Sequence, residues 1–461
     1  MNCLTRISTP QLVKLHSGKV RESFRIDATT RMIVVTDRLS AFDRVLDTPI
    51  PNKGAILNGI ANFWFDKTSD ICPNHFLKSI DPNISLVREA VPIKVEMVVR
   101  GYLSGSAWRG YEAGKRHFSG VTLPDGLTKN KKMPEPILTP TTKEASDREI
   151  TPGEIVSTGL ATHETYRHMA ETALKLFRRG TEHLAAQGLL LADTKYEFGL
   201  IGDELVLIDE IHTPDSSRFW SKNSYEANPE TVDSFDKEYV RSWLREHAVG
   251  GELPPALSEE ATRETARIYT DIFRRITGSD VTPCVEDIGA RICRNLCESG
   301  IIKQGYVVIF MGSPADADHA RTIASHIEPY GIKCDLRVVS AHKNGERISE
   351  IAAEYNESIE PGAAIAVAGR SNGLGGALAA NLAIPVFNCP PFKDRSDLLL
   401  NINSSLIMPS KTPAATVIDP ESAALAALRS LNVPALKRRF AGEIRTMKQK
   451  LFDDDALMRG R

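Results

Sequence analysis

Two glycine-containing turns in the C-terminal part of the chain carry the residue types of a phosphate site. The segment Ala368–Gly376 reads Ala-Gly-Arg-Ser-Asn-Gly-Leu-Gly-Gly and follows the apolar run Ala363–Val367. The apolar run Val307–Met311 likewise leads into Gly312–Asp316, a small turn with a hydroxyl and a carboxylate. Glycine leaves backbone N–H groups accessible to an anion, and the carboxyl ends of parallel strands converge on one crevice. The pattern predicts a site for a phosphorylated small molecule.

A histidine stands at the same predicted edge. His342 follows the apolar pair Val338–Val339 and the small residues Ser340 and Ala341. An isolated loop histidine is most often a surface residue, but this one would share its edge with both glycine turns. Because imidazole gains and loses a proton near neutral pH, His342 is our candidate for proton transfer.

The N-terminal part has a different set of charged residues. Ser17–Glu22 contains a Gly-Lys turn that could hold nucleotide phosphates, with an exposed hairpin turn as the alternative. Glu197 and Asp209 lie on a predicted hairpin, and a turn centred on Asp203 would place them opposite each other. Facing carboxylates repel unless a cation lies between them, and Mg²⁺ binds a few carboxylates together with phosphate oxygens. A solvated sheet face remains the alternative for this pair.

Two arginines are candidates for binding anions. Arg100 ends an apolar strand before a turn of small residues, and Arg218 ends the polar segment Thr213–Arg218. The guanidinium fork matches the geometry of phosphate and carboxylate groups. In the strand that precedes Arg100, the backbone of Glu96–Val98 could hold an adenine, although a buried strand is the simpler interpretation.

Composition restricts the class of protein. The 461 residues are 42% hydrophobic and 25% charged, with a formal net charge of −2, which gives no reason to expect nucleic acid or membrane as a partner. No apolar run approaches the ~18 residues that span a bilayer, and no signal-peptide pattern is present, so we expect a cytoplasmic protein. The seven cysteines are scattered, which favours free thiols.

Two architectures must position these groups. Short β-type runs up to about residue 120 predict an antiparallel α+β subdomain, the polar segment 118–153 a loop or lid, and Thr162–Gln187 an amphipathic helix. From about residue 305 strands and helices alternate, which predicts an α/β unit with a parallel sheet. The expected divisions are domains at 1–245 and 305–432, a helical connector at 246–304 and a helical tail at 433–461.

Several long motifs in order give the chain a family resemblance. Residues from about 10 to 245 resemble the SAICAR synthetase family of purine biosynthesis, and residues 305 to about 432 resemble the AIR carboxylase family. The motifs that carry the two resemblances are Gly18–Glu22, Asp37–Asp43, Val99–Trp108, Asp209–Glu210, Thr213–Arg218 and Ser234–Lys237 for the first, and Ser340–Lys343 and Gly369–Gly375 for the second. The resemblance implies a two-subdomain, ATP-grasp-like fold followed by a flavodoxin-like α/β/α fold.

The first resemblance implies an ATP-dependent ligase. It would join L-aspartate to carboxyaminoimidazole ribonucleotide (CAIR) through an acyl phosphate, giving SAICAR. Mg²⁺ would lie between the ATP phosphates and the Glu197 and Asp209 carboxylates, and Lys195 would act near the reacting groups. The residues implied at ATP are Gly18, Lys19, Arg21, Glu96 and Met97. Those implied at CAIR are Asp43, Arg100, Ser106, Asp215 and Arg218.

The second resemblance implies synthesis of CAIR from aminoimidazole ribonucleotide (AIR). His342 would move the proton at the carbon that gains the carboxylate, with Asp316 as a second catalytic residue. The residues implied at AIR are Gly312, Ser313, Asp316, Ser340, Lys343, Gly369, Arg370, Ser371, Asn372 and Gly373. The family also implies a homo-octamer, to which the apolar helices around Ala377–Leu382 and Ala423–Leu431 could contribute contacts.

The loop sequences resemble the AIR carboxylases that take CO₂ directly. The other type transfers a carboxylate already carried on the exocyclic nitrogen of its substrate. The chain departs from the CO₂ pattern at Ala315, where serine is usual, and at Asn344–Glu346, where Gly-Pro-Asp is usual. Two alternatives stay open for this part of the chain, namely mutase chemistry and a binding or oligomerisation module without catalysis.

Overall fold

The computed structural model describes residues 2–144, 148–282, 284–369 and 372–460. The chain divides into two compact units. The first contains the residues up to Arg6 together with Lys14–Ile288, and the second contains Ile7–Val13 and the residues from Gly289 onwards. Within the described ranges, none of the helices combines the length and hydropathy that a bilayer-spanning segment needs.

Strands and helices of the first unit follow the mixed pattern that its sequence predicts. The strands are β1 Val13–Ser17, β2 Arg21–Arg25, β3 Thr30–Val35, β4 Ser40–Ala41, β5 Arg44–Val45, β6 Phe76–Asp81, β7 Ile84–Arg88, β8 Val91–Tyr102, β9 His117–Phe118, β10 Val121–Thr122, β11 Lys132–Leu138, β12 Thr141–Thr142, β13 Leu189–Ile201, β14 Glu204–Ile208 and β15 Ser217–Ser221. The helices are α1 Lys53–Lys67, α2 Gly105–Glu112, α3 Pro152–Ser157, α4 His163–Ala186, α5 Lys222–Ala227, α6 Glu238–Glu246 and α7 Glu259–Thr277.

Two sheets form the frame of this unit. One has the order β1-β2-β3-β7-β6, and the other has the order β11-β8-β13-β14 with β12 on β8 and β15 on β13. All pairs of the second sheet are antiparallel. Side chains from α1, α4 and α7 are buried in one core with the second sheet, including Trp64, Leu176 and Tyr269. The α+β architecture of the first unit is therefore confirmed.

Helix α4 illustrates how the local sequence sets an element. The Thr162 hydroxyl accepts a hydrogen bond from the Thr165 N–H at 3.0 Å, which caps the first turn. Met169, Ala173 and Leu176 recur at helical spacing and are fully buried, so the apolar stripe predicted from the sequence faces the core. The predicted helix is confirmed.

The hairpin of β13 and β14 is present, but its register differs from the prediction. Its turn is the pair Gly202–Asp203, and Gly202 has a φ of 60°, which suits a two-residue hairpin turn. Glu197 therefore pairs with Ile208. The expectation that Glu197 lies opposite Asp209 is wrong by one residue, because the turn is centred between two residues and not on one.

The polar segment 118–153 contains more structure than its composition predicts. Strand β11 pairs with β8, matching Ile137 with Arg100, and the Ile137 side chain is 9% exposed. Pro134 and Pro136 fall inside the register shift between Lys132 and Ile137, where the ladder needs no N–H donor. The expectation of a continuous loop was wrong, because prolines are compatible with an irregular strand.

Strands and helices alternate through the second unit. The strands are β16 Tyr306–Met311, β17 Lys333–Val338, β18 Gly362–Val367, β19 Val386–Asn388 and β20 Ala415–Thr416. The helices are α8 Ile288–Glu298, α9 Ala317–Ile327, α10 Arg347–Asn356, α11 Gly373–Asn381, α12 Arg395–Asn401, α13 Asn403–Leu406, α14 Pro420–Ser430 and α15 Pro434–Met458. The sheet order is β17-β16-β18-β19-β20, and every pair is parallel.

Successive residues of β16 face opposite layers of helices. Val307 and Ile309 are buried with α9, α14 and α15, whereas Val308 and Phe310 are buried with α10 and α11. The predicted three-layer, flavodoxin-like arrangement is confirmed. The apolar face of α14 lies in the first of these cores, so intrachain packing accounts for the small residues Ala423, Ala424 and Ala427.

The two units divide the chain differently from its predicted domains. Tyr269, Ile272 and Ile276 of α7 are buried in the core of the first unit, so much of segment 246–304 packs there. At the other end of the chain, Thr9 and Gln11 belong to the second unit and donate hydrogen bonds to the buried carboxylate of Glu360. The second unit is therefore discontinuous in sequence.

A close backbone approach in the second unit gives a test of this packing. An added Cβ at Gly375 would overlap the Oδ1 atom of Asn388, which is fully buried. We expect Gly375→Ala to destabilise the protein by about 1 to 3 kcal/mol, the range for overpacking a core. Thermal unfolding measures the effect. Gly442→Ala in α15 is the control, because no atom lies within 4 Å of its added Cβ. Equal melting temperatures for the two variants would contradict the packing.

Candidate functional site

A cavity of about 450 Å³ opens on the first unit. It lies where the β1–β2 turn meets the β13–β14 hairpin. The predicted site residues that line it are Gly18, Lys19, Arg21, Lys195, Glu197, Asp209 and Asp215. The structure thus brings the predicted phosphate turn and the predicted metal carboxylates to one cavity.

The Gly-Lys turn presents a cation to this cavity. The Gly18 N–H donates to the Arg21 carbonyl at 2.8 Å, which closes the turn. Lys19 Nζ lies 2.6 Å from Oδ1 of Asp43, and both side chains are exposed. An exposed ion pair is weakly held in water, so these charges remain accessible to a ligand.

Glu197 and Asp209 each contact cationic side chains in the cavity. Glu197 on β13 contacts Lys143 and lies 3.4 Å from Lys195 Nζ. Asp209 follows β14, and its φ of 67° takes the chain out of the strand. Its carboxylate contacts Arg21, whose other terminal nitrogen lies 2.6 Å from Glu210.

The carboxylates influence each other through space. Burial and the negative charge of Asp209 raise the pKa of Glu197 to about 7, against the opposing charges of Lys195 and Lys143. Burial also acts to raise the pKa of Asp209, but the charges of Arg21 and Lys195 outweigh it and hold this pKa below its usual range. One member of the pair is thus shifted towards the neutral form while the other stays ionised.

A divalent cation fits this pair of oxygen donors. Mg²⁺ is bound by one or two carboxylates together with phosphate and water oxygens. Across the described residues, no group of three or more His, Cys, Asp or Glu side chains is arranged to hold a metal. Glu197 and Asp209 would therefore supply part of a coordination shell, and ligand oxygens would supply the rest.

Lys195 connects the cavity to β8. Its Nζ lies 2.6 Å from Oε1 of Glu96. Burial acts to lower the pKa of Lys195, but the charges of Glu197 and Glu96 outweigh it and raise this pKa above its ordinary value. Neither Glu96 nor Met97, both predicted at ATP, lines the cavity, and the Met97 side chain is buried in the core. Their backbones lie in β8, which pairs with β12 on one side and β13 on the other.

A second charged cluster brings together the predicted anion-binding arginines. Arg218 lies 2.5 Å and Arg100 lies 3.4 Å from the buried carboxylate of Asp193. The Ser106 hydroxyl accepts from Arg100 at 3.3 Å. Burial acts to raise the pKa of Asp193, but the charges of Arg218 and Arg100 hold it below its usual range. Two guanidinium groups around one carboxylate leave excess positive charge for an anion.

Asp215 is the centre of a third cluster. Its Oδ2 accepts from Lys53 at 2.9 Å and lies 2.8 Å from Lys237 Nζ, while its Oδ1 accepts from the Tyr269 hydroxyl at 2.7 Å. Sequence reasoning assigned no role to Lys53, Lys237 or Tyr269. Lys237 is the last residue of the family motif Ser234–Lys237, which is a signal that could have identified it. Tyr269 lies in an amphipathic helix, where an aromatic residue is typical of a core position.

The second unit has its own candidate site at the carboxyl edge of β16 and β18. Gly312 follows β16, and an added Cβ there would lie 3.3 Å from Ala368 Cβ and 3.9 Å from an Asp316 carboxylate oxygen. An added Cβ at Gly373 would lie 3.1 Å from Nε2 of His342. The structure therefore places His342 against the glycine loop and Asp316 beside Gly312, at the switch in strand order where ligands bind in such sheets.

The loops of this edge are fixed by side-chain hydrogen bonds. The Ser340 N–H donates to Asn344 Oδ1 at 2.8 Å, so Asn344, where the family pattern has glycine, holds the histidine loop. The Asn372 carboxamide caps α11 and donates to Ser405 at 2.9 Å. Burial raises the pKa of the Asp316 carboxyl. Gly369 and Lys343 are in the same loops, whereas Arg370 and Ser371 lie outside the described residues.

The Ser313 turn keeps its hydroxyl at the start of a short helical segment. Ser313 Oγ accepts from the Ala315 N–H at 3.2 Å. Because the donor is the backbone N–H of residue 315, this hydrogen bond forms with Ala315 as it would with the serine that is usual at this position.

Comparisons with known proteins match both parts of the chain. The SAICAR synthetase family model matches residues 14–254, and the AIR carboxylase family model matches residues 306–451. The phosphoribosylaminoimidazole-succinocarboxamide synthase of Bacteroides thetaiotaomicron is 42% identical over 308 residues, which are 64% of this chain and 98% of that protein. The corresponding synthase of Flavobacterium psychrophilum is 41% identical over 305 residues, 64% of this chain and 96% of that protein.

A solved structure shares the fold of the first unit. The SAICAR synthase of Saccharomyces cerevisiae, solved in complex with SAICAR, is 32% identical, with a TM-score of 0.55. The match covers 61% of this chain and 100% of that one.

The arginine cluster around Asp193 gives a test of the electrostatics. We expect Arg218→Met to destabilise the first unit by about 3 kcal/mol, because it removes the nearer cation from a buried carboxylate. Chemical denaturation measures the loss. Arg274→Met is the matched control, since its ion pair with Asp280 is exposed and its removal should change stability by at most about 0.5 kcal/mol. Similar losses in both variants would show that burial of Asp193 does not control the effect.

Proposed function

This chain belongs to the SAICAR synthetase family, and on that basis we propose how its side chains divide the work of two reactions. It is a bifunctional enzyme of purine biosynthesis, with an amide-forming ligase in the first unit and a member of the AIR carboxylase family in the second. The observation that carries the residue assignments is the meeting of the Gly-Lys turn with Glu197 and Asp209 in one cavity.

In the first unit, we assign ATP to the cavity and the ribonucleotide phosphate to the arginine cluster. Gly18, Lys19 and Arg21 would face the ATP phosphates, with Mg²⁺ held by Glu197 and Asp209 to offset their charge. Glu96 and Met97, which the sequence resemblance implies at ATP, do not line this cavity, so we assign them no contact with ATP. The γ-phosphoryl group passes to the CAIR carboxylate, and the amine of L-aspartate then displaces phosphate to form the amide.

Lys195 serves as a fixed cation in this proposal. Its raised pKa keeps the ammonium protonated, so it stabilises negative charge on the transferred group and does not act as a base. Arg100, Ser106 and Arg218 bind the CAIR phosphate. Asp43 and Asp215 complete the CAIR site. Asp215 acts through its partners, because both of its oxygens already accept hydrogen bonds.

In the second unit, we propose carboxylation of AIR by CO₂. A carbon–carbon bond forms between the imidazole ring and CO₂, and the proton displaced from that ring carbon passes to His342. Asp316 lies beside Gly312 at the same edge and, with its raised pKa, is suited to hold a proton. We place the nucleotide against the described loop residues Gly312, Ser313, Ser340, Lys343, Gly369, Asn372 and Gly373.

Assembly and location are also proposals. We expect a homo-octamer in the cytoplasm, as the resemblance of the second part implies. Exposed apolar side chains at Leu399, Leu406 and Ile407 supply surface for contacts between copies, since Ile407 is 77% exposed.

The ligase assignment is tested by removing one carboxylate. We expect Glu197→Gln to lower the rate of SAICAR formation from CAIR, ATP, Mg²⁺ and L-aspartate on the order of 100-fold, the scale of losing one group that stabilises transition-state charge. Coupled ADP release measures the rate. Carboxylation of AIR by the same variant is the internal control and should be unchanged. A wild-type protein that makes no SAICAR from supplied CAIR would refute the assignment.

The source of the carboxyl group is tested without ATP. AIR and CO₂ supplied to the wild-type protein should give CAIR, and His342→Asn should lower this rate by about 100- to 10,000-fold, the range for losing a general acid or base. SAICAR formation from CAIR by the variant should persist. Turnover of the N-carboxylated substrate but not of AIR with CO₂ would establish the mutase alternative. No turnover of either would establish a non-catalytic module.

A further inference from the structure

A hydrogen bond between two buried side chains joins the strand that carries Glu197 to the segment that carries Asp209. Tyr196 precedes Glu197 on β13, and its hydroxyl lies 2.6 Å from Nε2 of His212. His212 belongs to residues 209–216, which connect β14 to β15. Both side chains are fully buried. Because side chains alternate along a strand, this contact lies on the core face of β13 while Glu197 faces the cavity.

The backbone of the connecting segment 209–216 needs to be held from outside. Asp209 has a φ of 67° and His212 has a φ of 48°, both in the left-handed region that is unfavourable for residues other than glycine. Such conformations persist where the surrounding structure fixes them. The far end of the segment is fixed by the Lys195 N–H, which donates to the Ser216 carbonyl at 3.1 Å. The end that contains Asp209 lies away from this hydrogen bond.

The Tyr196 hydroxyl fixes the end of the segment that contains Asp209. Ladder pairing sets Ile208, the residue before Asp209, opposite Glu197. Three residues after Asp209, the His212 ring meets the Tyr196 hydroxyl. Asp209 is thus held on both sides, each time by a contact with β13. The position of its carboxylate relative to Glu197 depends on both contacts.

The His212 ring is enclosed by its neighbours. The Trp64 ring packs edge-on against it with the ring centres 4.6 Å apart, and an added Cβ at Gly180 would overlap it. Its Nδ1 atom has no hydrogen-bond partner among the residues that the structure describes. Burial and the charge of His183 lower the pKa of His212 to about 3, so the imidazole is neutral. The bond to Tyr196 is therefore a neutral hydrogen bond inside the core.

We propose that Tyr196 and His212 are positioning residues of the ligase. Their hydrogen bond sets Asp209 relative to Glu197, and so it sets how well these two carboxylates fit a divalent cation that is bound to ATP. Neither side chain lines the cavity, so both act through the backbone that carries the carboxylates. The inference rests on the proposed ligase function, because that function assigns the cation to Glu197 and Asp209.

The test measures how much Mg²⁺ contributes to ATP binding by the full-length protein. Isothermal titration calorimetry gives Kd for ATP with Mg²⁺ present and again with EDTA in its place. We expect Tyr196→Phe to raise Kd about fivefold with Mg²⁺, the effect of losing one neutral hydrogen bond, and by less than about twofold with EDTA. The two values differ because the separation of the carboxylates matters only when a cation lies between them.

A double-mutant cycle tests whether the two residues act together. His212→Leu should also weaken ATP binding with Mg²⁺, and adding Tyr196→Phe to it should cause no further loss, since both changes remove the same hydrogen bond. Tyr111→Phe is the matched control. Tyr111 is buried, and its hydroxyl donates a 2.6 Å hydrogen bond to the Pro124 carbonyl, away from the cavity. This control should lower the melting temperature as Tyr196→Phe does and leave both Kd values unchanged.

The possible results separate this inference from the ligase assignment. An unchanged Kd with Mg²⁺ in folded Tyr196→Phe protein, or equal losses with Mg²⁺ and with EDTA, overturns the proposal. Additive losses in the double variant overturn it as well, because they show that Tyr196 and His212 act separately. If ATP binding by the wild-type protein does not respond to Mg²⁺, the assignment of the cation to Glu197 and Asp209 is overturned instead.

Discussion

The antiparallel pairing of β8 with β13 holds the charged groups of the first unit in place. This register sets Arg100 opposite Asp193 and Glu96 opposite Glu197. Both clusters are largely removed from water, where an unpaired charge is costly, so each acidic group must keep its cationic partner. A slip of one residue in this pairing would send these side chains to the opposite face of the sheet and dismantle both clusters.

The second unit depends on a different constraint, the close approach of backbone to side chains. Gly373 faces the His342 ring, and Gly375 faces the Asn388 carboxamide, so neither position has space for a larger residue without movement. The reversal of strand order between β16 and β18 opens the edge where these loops meet. Paired charges hold the candidate site of the first unit in place, whereas small residues and the strand order of the sheet shape the candidate site of the second unit.

Sequence patterns predicted the structure correctly where a single periodicity or motif determines the element. The alternating strands and helices predicted the three-layer sheet, and the spacing of apolar residues predicted α4. The register of Glu197 was missed because a two-residue turn shifts the partner by one position. Lys53 and Tyr269 were missed for a different reason. They are more than fifty residues from Asp215 in the chain, and only tertiary packing brings their polar atoms to its carboxylate.

The placement of Ile7–Val13 in the second unit has a consequence for how the molecule is made and dissected. This segment is synthesised before any strand of the parallel sheet. It can form its hydrogen bonds with Glu360 only after most of the chain has left the ribosome. Expression from Gly289 alone would omit the donors Thr9 and Gln11. Dividing the chain at one position between the two units therefore leaves the second unit without residues Ile7–Val13.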